Sequence, residues 1–411
     1  MKKLTLLLSL VAICCGCSNI DDFPPFVEEE ITEETKTTPL NIELSPYEKE
    51  WALNGNDFAM KLFDAVCETA ESENILLSPL SLQLALGMLS NGAGETGLGE
   101  IAATLGFEGY SVDKINDYFG KLTSALTEGD ASVTLNIANS AWIQAGFAVK
   151  DKFRKSLENG YQAQVRNIDF SNSVEAKKVI VDWCSEQTKG TITDLDLSIT
   201  ELTRLILANV CYLKGSWTLP FEDTQKGIFT TSKGEEQEVD MMKLSNMLNY
   251  YHGVDYQAVE LPYGNESFSM VVVLPDAGKS VEEMAANIKW KNMRFGGRGM
   301  EVALPKFKLK SHTDLTLTLQ KLGIKEVYGT LPNINENLAV SKVFQDMFIE
   351  TNETGTEAAA ITVIEIEATA IPGENGRIEM TMDRPFLFAI RENSTGIILF
   401  MGKVGNINET E

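Results

Sequence analysis

From Glu353 to Glu367 the chain reads ETGTEAAAITVIEIE, and its side chains sort cleanly when every second residue is read. In a strand, alternate side chains point to opposite faces. The even face carries Thr356, Ala358, Ala360, Thr362, Ile364, Ile366 and Ala368, with no charge among them. Glu357, Glu365 and Glu367 all fall on the odd face. A helix would scatter those carboxylates around its surface, and the second half of the run is dominated by β-branched residues. Its first half is glycine and alanine, which resist neither a hinge nor a strand. The run reads as a strand that can enter a sheet with its even face inward.

Few chemistries suit the rest of the chain. Among 411 residues there are 59 acidic and 35 basic ones, and the resulting net charge of −24 repels nucleic acid. Only two histidines, His252 and His312, are present, and no Cys-x-x-Cys pair exists. Neither a metal site nor histidine-based catalysis is expected, nor is any cofactor. Gly92–Gly97 satisfies G-x-G-x-x-G, but it follows a helical pattern where the dinucleotide fingerprint requires a strand. Ser111-Val-Asp-Lys114 matches S-x-x-K without its partner motifs. The chain is not expected to be an enzyme.

Three regions follow from the sequence. Residues 1–17 have Lys2 and Lys3, an apolar run from Leu4 to Ile13, then Cys14-Cys15-Gly16-Cys17. That pattern is a targeting segment too short to span a bilayer. Its end resembles a bacterial lipoprotein cleavage site, which implies lipidation of Cys17. Residues 18–46 are acidic and proline-bearing, a flexible tether. From Tyr47 onward the hydrophobic content supports a core, with no second linker visible. Cys67, Cys184 and Cys211 are widely spaced and expected to be buried apolar groups rather than a disulfide framework.

Within that body Trp51, Phe58, Leu62 and Val66 have helical spacing, and Ser78-Pro79 opens a second helix capped by Ser78. Leu205–Leu213 reads as a strand covered on both faces, with Asn209 requiring a hydrogen-bond partner. Phe268–Leu274, Phe386–Ile390 and Ile397–Met401 read as buried strands, with turn chemistry over Glu392–Gly396. Helices and strands do not alternate regularly, so one large α+β domain is predicted over residues 47–411.

The string from Gly355 to Thr362 resembles the reactive-loop hinge of inhibitory serpins. The resemblance extends across the body: Asn74–Ser81, Gly92–Thr96, Leu207–Trp217 with Pro220-Phe221, Leu261–Tyr263, Ser269–Pro275, Leu304–Phe307 and Asp383–Phe388 all match blocks of that family in order. It implies three β-sheets, surrounding helices and an exposed reactive loop over about residues 353–376. It also implies a suicide mechanism, in which a protease cuts the loop and the freed segment inserts into the central sheet.

Carried over by position, the hinge comprises Glu353, Gly355, Thr356, Glu357, Ala358, Ala359 and Ala360. Ser78, Ser81 and Asn209 belong to the shutter, where the sheet opens. Many animal relatives have a histidine at the shutter position that is here Gln345, which keeps a donor and an acceptor but loses pH sensitivity. Trp217 and Lys306 belong to the breach, where insertion starts, with Lys306 expected to pair with Glu353. The scissile bond usually lies fourteen residues past the hinge glycine, which is Thr369-Ala370 here. Small residues there suit elastase-like or subtilisin-like proteases. The expected partner is therefore a serine protease, or a cysteine protease, met by a monomer anchored by lipid to the outer membrane or cell surface. The alternative is a non-inhibitory binding protein of the same fold.

Overall fold

The computed structural model describes residues 38–127, 130, 132–285, 288, 290–356 and 376–409. Cys17, the targeting segment, most of the tether, Glu357–Ala360, Thr369 and Ala370 lie outside the described residues.

The packed body starts before Tyr47. Ile42 and Leu44 are buried, and the amides of Leu40 and Ile42 donate to the hydroxyls of Ser267 and Ser394. Helix α1 (Pro46–Cys67) begins at a capping box between Ser45 and Glu48, and it buries Trp51, Phe58, Leu62 and Val66. Strand β1 (Ile75–Leu77) leads into α2 (Pro79–Ser90), nearly all of which is buried. Ser78 caps it by accepting from the Ser81 amide. Then come α3 (Glu95–Leu105), α4 (Val112–Thr127), β2 (Val133–Gln144), α5 (Asp151–Tyr161), β3 (Gln164–Ile168) and α6 (Ser173–Gln187).

The second half is richer in strands. β4 (Leu205–Ser216), β5 (Asp223–Thr230), β6 (Glu236–His252), β7 (Tyr256–Tyr263) and β8 (Phe268–Pro275) precede the short α7 (Val281–Ala285). β9 (Gly296–Pro305) and β10 (Phe307–Asp314) follow, then α8 (Thr316–Lys321), β11 (Phe344–Asn352) and the two-residue β12 (Gly355–Thr356). β13 (Ile378–Thr381), β14 (Phe386–Glu392) and β15 (Ile398–Val404) complete the chain.

Among the described residues two hydrogen-bonded sheets form where three were expected. One runs β1-β15-β14-β8-β7-β6-β9-β13, with β5 also on β6; the other runs β10-β11-β12-β4-β2-β3. The reason is β6, whose 17 residues pair with β5, with β9 and, at the far end, with β7. A single long strand thus welds two sheets into one ladder. Every residue of β8 is buried, as its valine run requires of a central strand. The turn between β14 and β15 is held by the Glu392 carboxylate, which accepts from the amides of Ser394 and Thr395.

α2 packs beneath the six-stranded sheet within the main core, while α6 covers its other face through Trp142, Ile180, Trp183, Val210 and Tyr212. Val210–Leu213 of β4 are buried, as a doubly covered strand should be, whereas Leu205–Asn209 are only half-buried. Along that half of β4 the described ladder runs on the β2 side alone.

Candidate functional site

β12 sits between β4 and β11 and is antiparallel to both. Gly355 and Thr356 lie opposite Ser216 and Gly215 on one side, and opposite Asn352 and Thr351 on the other. The loop expected over residues 353–376 therefore begins later than the resemblance implied, because its first residues are already part of a sheet. The fit is close. A Cβ built on Gly355 would lie 2.1 Å from the Gly215 carbonyl oxygen, so only glycine threads this point without moving backbone. Thr356 is 2 % exposed and faces the core.

At the top of the sheet, Lys306 Nζ and Thr224 Oγ1 converge on Glu353 Oε1 at 2.6 and 2.5 Å. Burial alone would raise the Glu353 carboxyl, but these hydrogen bonds outweigh it and hold the group below its usual range. The lysine–glutamate pair anticipated from sequence is thus formed, with Thr224 as a partner that sequence reasoning missed. Trp217 donates its indole N–H to the Asn352 carbonyl at 2.9 Å and its backbone N–H to the Thr354 carbonyl at 2.9 Å. The strand turn before the hinge is therefore tied to Trp217 twice.

Tyr263 was quoted only as part of a matching block, and its place here was not foreseen. Its ring stacks on Trp217 with centroids 4.4 Å apart and planes 15° apart. Its hydroxyl lies 2.6 Å from the Thr356 hydroxyl, both groups being buried. Burial pushes the phenol far up, with the Thr356 bond pulling it partly back. The missing signal is topological: Tyr263 ends β7 of the other sheet, 93 residues from Thr356.

Halfway down the sheet, Ser78, Ser81, Asn209 and Gln345 form one connected cluster. Gln345 Nε2 donates to the Ser78 carbonyl at 2.9 Å, and its Oε1 accepts from the Ser78 amide at 3.3 Å. The Ser78 hydroxyl donates to the Leu399 carbonyl at 2.7 Å. Ser81 donates to Asn209, whose side-chain amide donates to Asn139 at 2.6 Å, and Asn139 in turn donates to the Tyr161 carbonyl. The half-buried Asn209 thus finds partners for its side-chain amide, and the buried Asn139 is an addition to the set read from sequence. Beside Gln345, Asp346 and His312 Nδ1 share a hydrogen bond of 2.8 Å on the opposite face. Burial raises the Asp346 carboxyl despite the nearby imidazole.

Between the hinge and this cluster, Cys211, Leu213, Met347 and Ile349 line a cleft shared with Ile390 and Phe400 of the other sheet. The cysteines among the described residues are not activated thiols: Cys184 and Cys211 are buried, Cys67 partly so, and burial pushes all three up to about 12. Among the described residues no cluster of three or more histidine, cysteine or acidic groups is arranged to hold a metal.

Comparison with known proteins gives the same picture. A family model described as "Serpin (serine protease inhibitor)" matches residues 53–407. Neuroserpin of Gallus gallus is 32% identical over 372 residues, covering 85% of this chain and 90% of the relative. The leukocyte elastase inhibitor of Sus scrofa is 32% identical over 376 residues, covering 85% and 97%. Among solved structures, Serpin48 of the insect Tenebrio molitor superposes with a TM-score of 0.78 at 31% identity, over 89% of this chain and all of that one. With the fold, the doubly paired hinge and these relatives in agreement, the chain belongs to the serpin family.

Proposed function

We propose that the protein is a suicide inhibitor of serine proteases that favour small residues, elastase-like or subtilisin-like, and that it works by strand insertion. The observation that carries this reading is the register of β12. Thr356 pairs with Gly215 and Thr351 on the core-facing side. If the cleaved loop continued in that register, Ala358 would lie between Leu213 and Ile349, and Ala360 between Cys211 and Met347. Thr362 would then lie between Asn209 and Gln345, and Ile364 would follow. The residues already on that face at 211, 213, 347 and 349 are buried, and the uncharged even face of the loop suits them. Burying Ile364 and Ile366 would contribute about 1.5–3 kcal/mol each.

The chemistry is the protease's own. Its serine oxygen attacks the Thr369 carbonyl and the Ala370 amine leaves with a proton, forming an acyl ester on Thr369. Hydrolysis by water competes with insertion of the freed strand. If insertion is faster, the ester is carried away before it is cleaved and the protease stays attached. In this reading Gln345, Ser78, Ser81 and Asn209 form the point where β4 and β11 part, and Trp217, Lys306 and Glu353 guard the place where the strand enters. We further infer that Cys17 carries lipid, which would hold a monomer on the outer membrane or cell surface through the acidic tether. The relatives named neuroserpin and leukocyte elastase inhibitor support the protease-directed part of this reading.

The test is incubation with subtilisin and elastase followed by denaturing electrophoresis. A covalent complex resistant to SDS is expected. A cleaved loop with no complex from either enzyme would overturn inhibition and point to a non-inhibitory binding protein of the same fold.

A further inference from the structure

Tyr263 is held so that its hydroxyl can go to few places. One face of its ring stacks on Trp217, and a Cβ added at Gly215 would approach the ring to 3.2 Å. Gly215 is the ladder partner of Thr356, and Trp217 bonds the turn that delivers it. The phenol therefore reaches the first core-facing side chain of the hinge at 2.6 Å. The site is closed to bulk solvent: Tyr263 is 0% exposed, Thr356 2% and Thr351 1%. Thr351, the other ladder neighbour of Thr356, keeps a buried hydroxyl with no hydrogen-bond partner among the described residues. Losing the hydroxyl at residue 356 would leave Tyr263 without a partner as well. Buried polar groups lacking partners are costly, whereas removing both members of a pair is far less so.

From this geometry we propose that Tyr263 is a positioning residue for the inhibitory reaction. Its hydroxyl clasps Thr356, which starts the insertion strand in register before any protease cuts the loop. The inference deepens the inhibitory reading and rests on it for its functional consequence, while the clasp itself can be judged separately. In this proposal Tyr263 makes no contact with the protease. It acts through Thr356, by fixing where the strand begins and so how soon it can outrun hydrolysis.

The test is a double-mutant cycle in the full chain: Tyr263→Phe, Thr356→Val, the pair together, and Thr356→Ser as the conservative control. Amide hydrogen exchange over residues 352–356 reads the clasp, and the stoichiometry of inhibition of subtilisin reads its consequence. Each single loss should speed exchange in that segment by about fivefold or more, the effect of one buried hydrogen bond. Each should also raise the number of inhibitor molecules consumed per protease. The double variant should be no worse than either single variant in both readouts, because the one clasp is lost only once, and Thr356→Ser, which keeps the hydroxyl, should stay within about twofold of the parent. A tyrosine that merely fills space would give effects that multiply in the double variant. Multiplying effects, or unchanged exchange in Tyr263→Phe, would overturn the clasp. If the parent forms no covalent complex while exchange shows the coupling, the clasp stands and the inhibitory reading fails.

Discussion

Replacing Thr356 with arginine puts the largest strain on the insertion step. Thr356 is 2% exposed, its hydroxyl bonded to Tyr263, and its ladder partners are Gly215 and Thr351. None of these can neutralise a guanidinium, and the nearby Glu353 is already paired with Lys306. A buried unpaired charge costs several kcal/mol even after relaxation. The arginine should drive residue 356 out of the sheet in the intact chain, so that insertion must seat it anew. Taking about 4 kcal/mol as that cost, insertion slows about a thousandfold, since each 1.36 kcal/mol is tenfold in rate. Hydrolysis of the acyl ester does not slow with it. Thr356→Arg should therefore turn over as a substrate: subtilisin cuts the loop, the complex band disappears and protease activity survives. The assay is titration of residual activity against inhibitor, with denaturing gels at each ratio. One-to-one inhibition by Thr356→Arg at the parent's rate would refute the idea that this side chain must enter the sheet.

Three further outcomes follow from the same geometry. Gln345→Leu removes both bonds to Ser78 and leaves a buried amide unpaired, so stability should fall by about 1–3 kcal/mol. By thermal melting that is a loss of roughly 1–4 °C, and an unchanged melting temperature would argue against the bridge. Glu353 has a carboxyl lowered in the folded state, so its contribution is present above the ordinary carboxylate value of 4.5 and fades as pH falls through the folded value. The melting difference between the parent and Glu353→Gln should be full at pH 7 and shrink as the pH falls below 4.5 through the lower folded value, remaining under about 1 kcal/mol because the pair is partly exposed; a difference independent of pH would contradict it. Thr369→Arg should transfer inhibition toward trypsin, judged by covalent complex formation, and an unaltered protease preference would move the scissile bond elsewhere.

Local chemistry was the readable part of this molecule. Ser78-Pro79 announced a capped helix and the valines of β8 a central strand, while the alternating run after Thr356 lies outside the described residues. Each rests on neighbours in sequence. Family resemblance supplied what spacing cannot, the meeting of Ser78, Ser81, Asn209 and Gln345 across 267 residues. What stayed hidden depended on tertiary approach. Tyr263 meets Thr356 only because the end of β7 passes under β12, and Asn139 joins Asn209 only through the pairing of β2 with β4. The start of the body was read too late because Leu40–Leu44 lack periodicity, being fastened by side chains of Ser267 and Ser394 rather than by an element of their own. The sheet count differed because nothing in the composition of β6 marks where one ladder ends and the next begins.

The central claim is that the intact chain stores folding energy that strand insertion releases. The direct measurement compares thermal unfolding before and after a limited nick near Thr369, made by a protease that is then removed. About ten new backbone hydrogen bonds at roughly 1 kcal/mol each predict that the nicked form melts roughly 10 °C or more higher. If both forms unfold at the same temperature, no strand has entered the sheet and the account is contradicted.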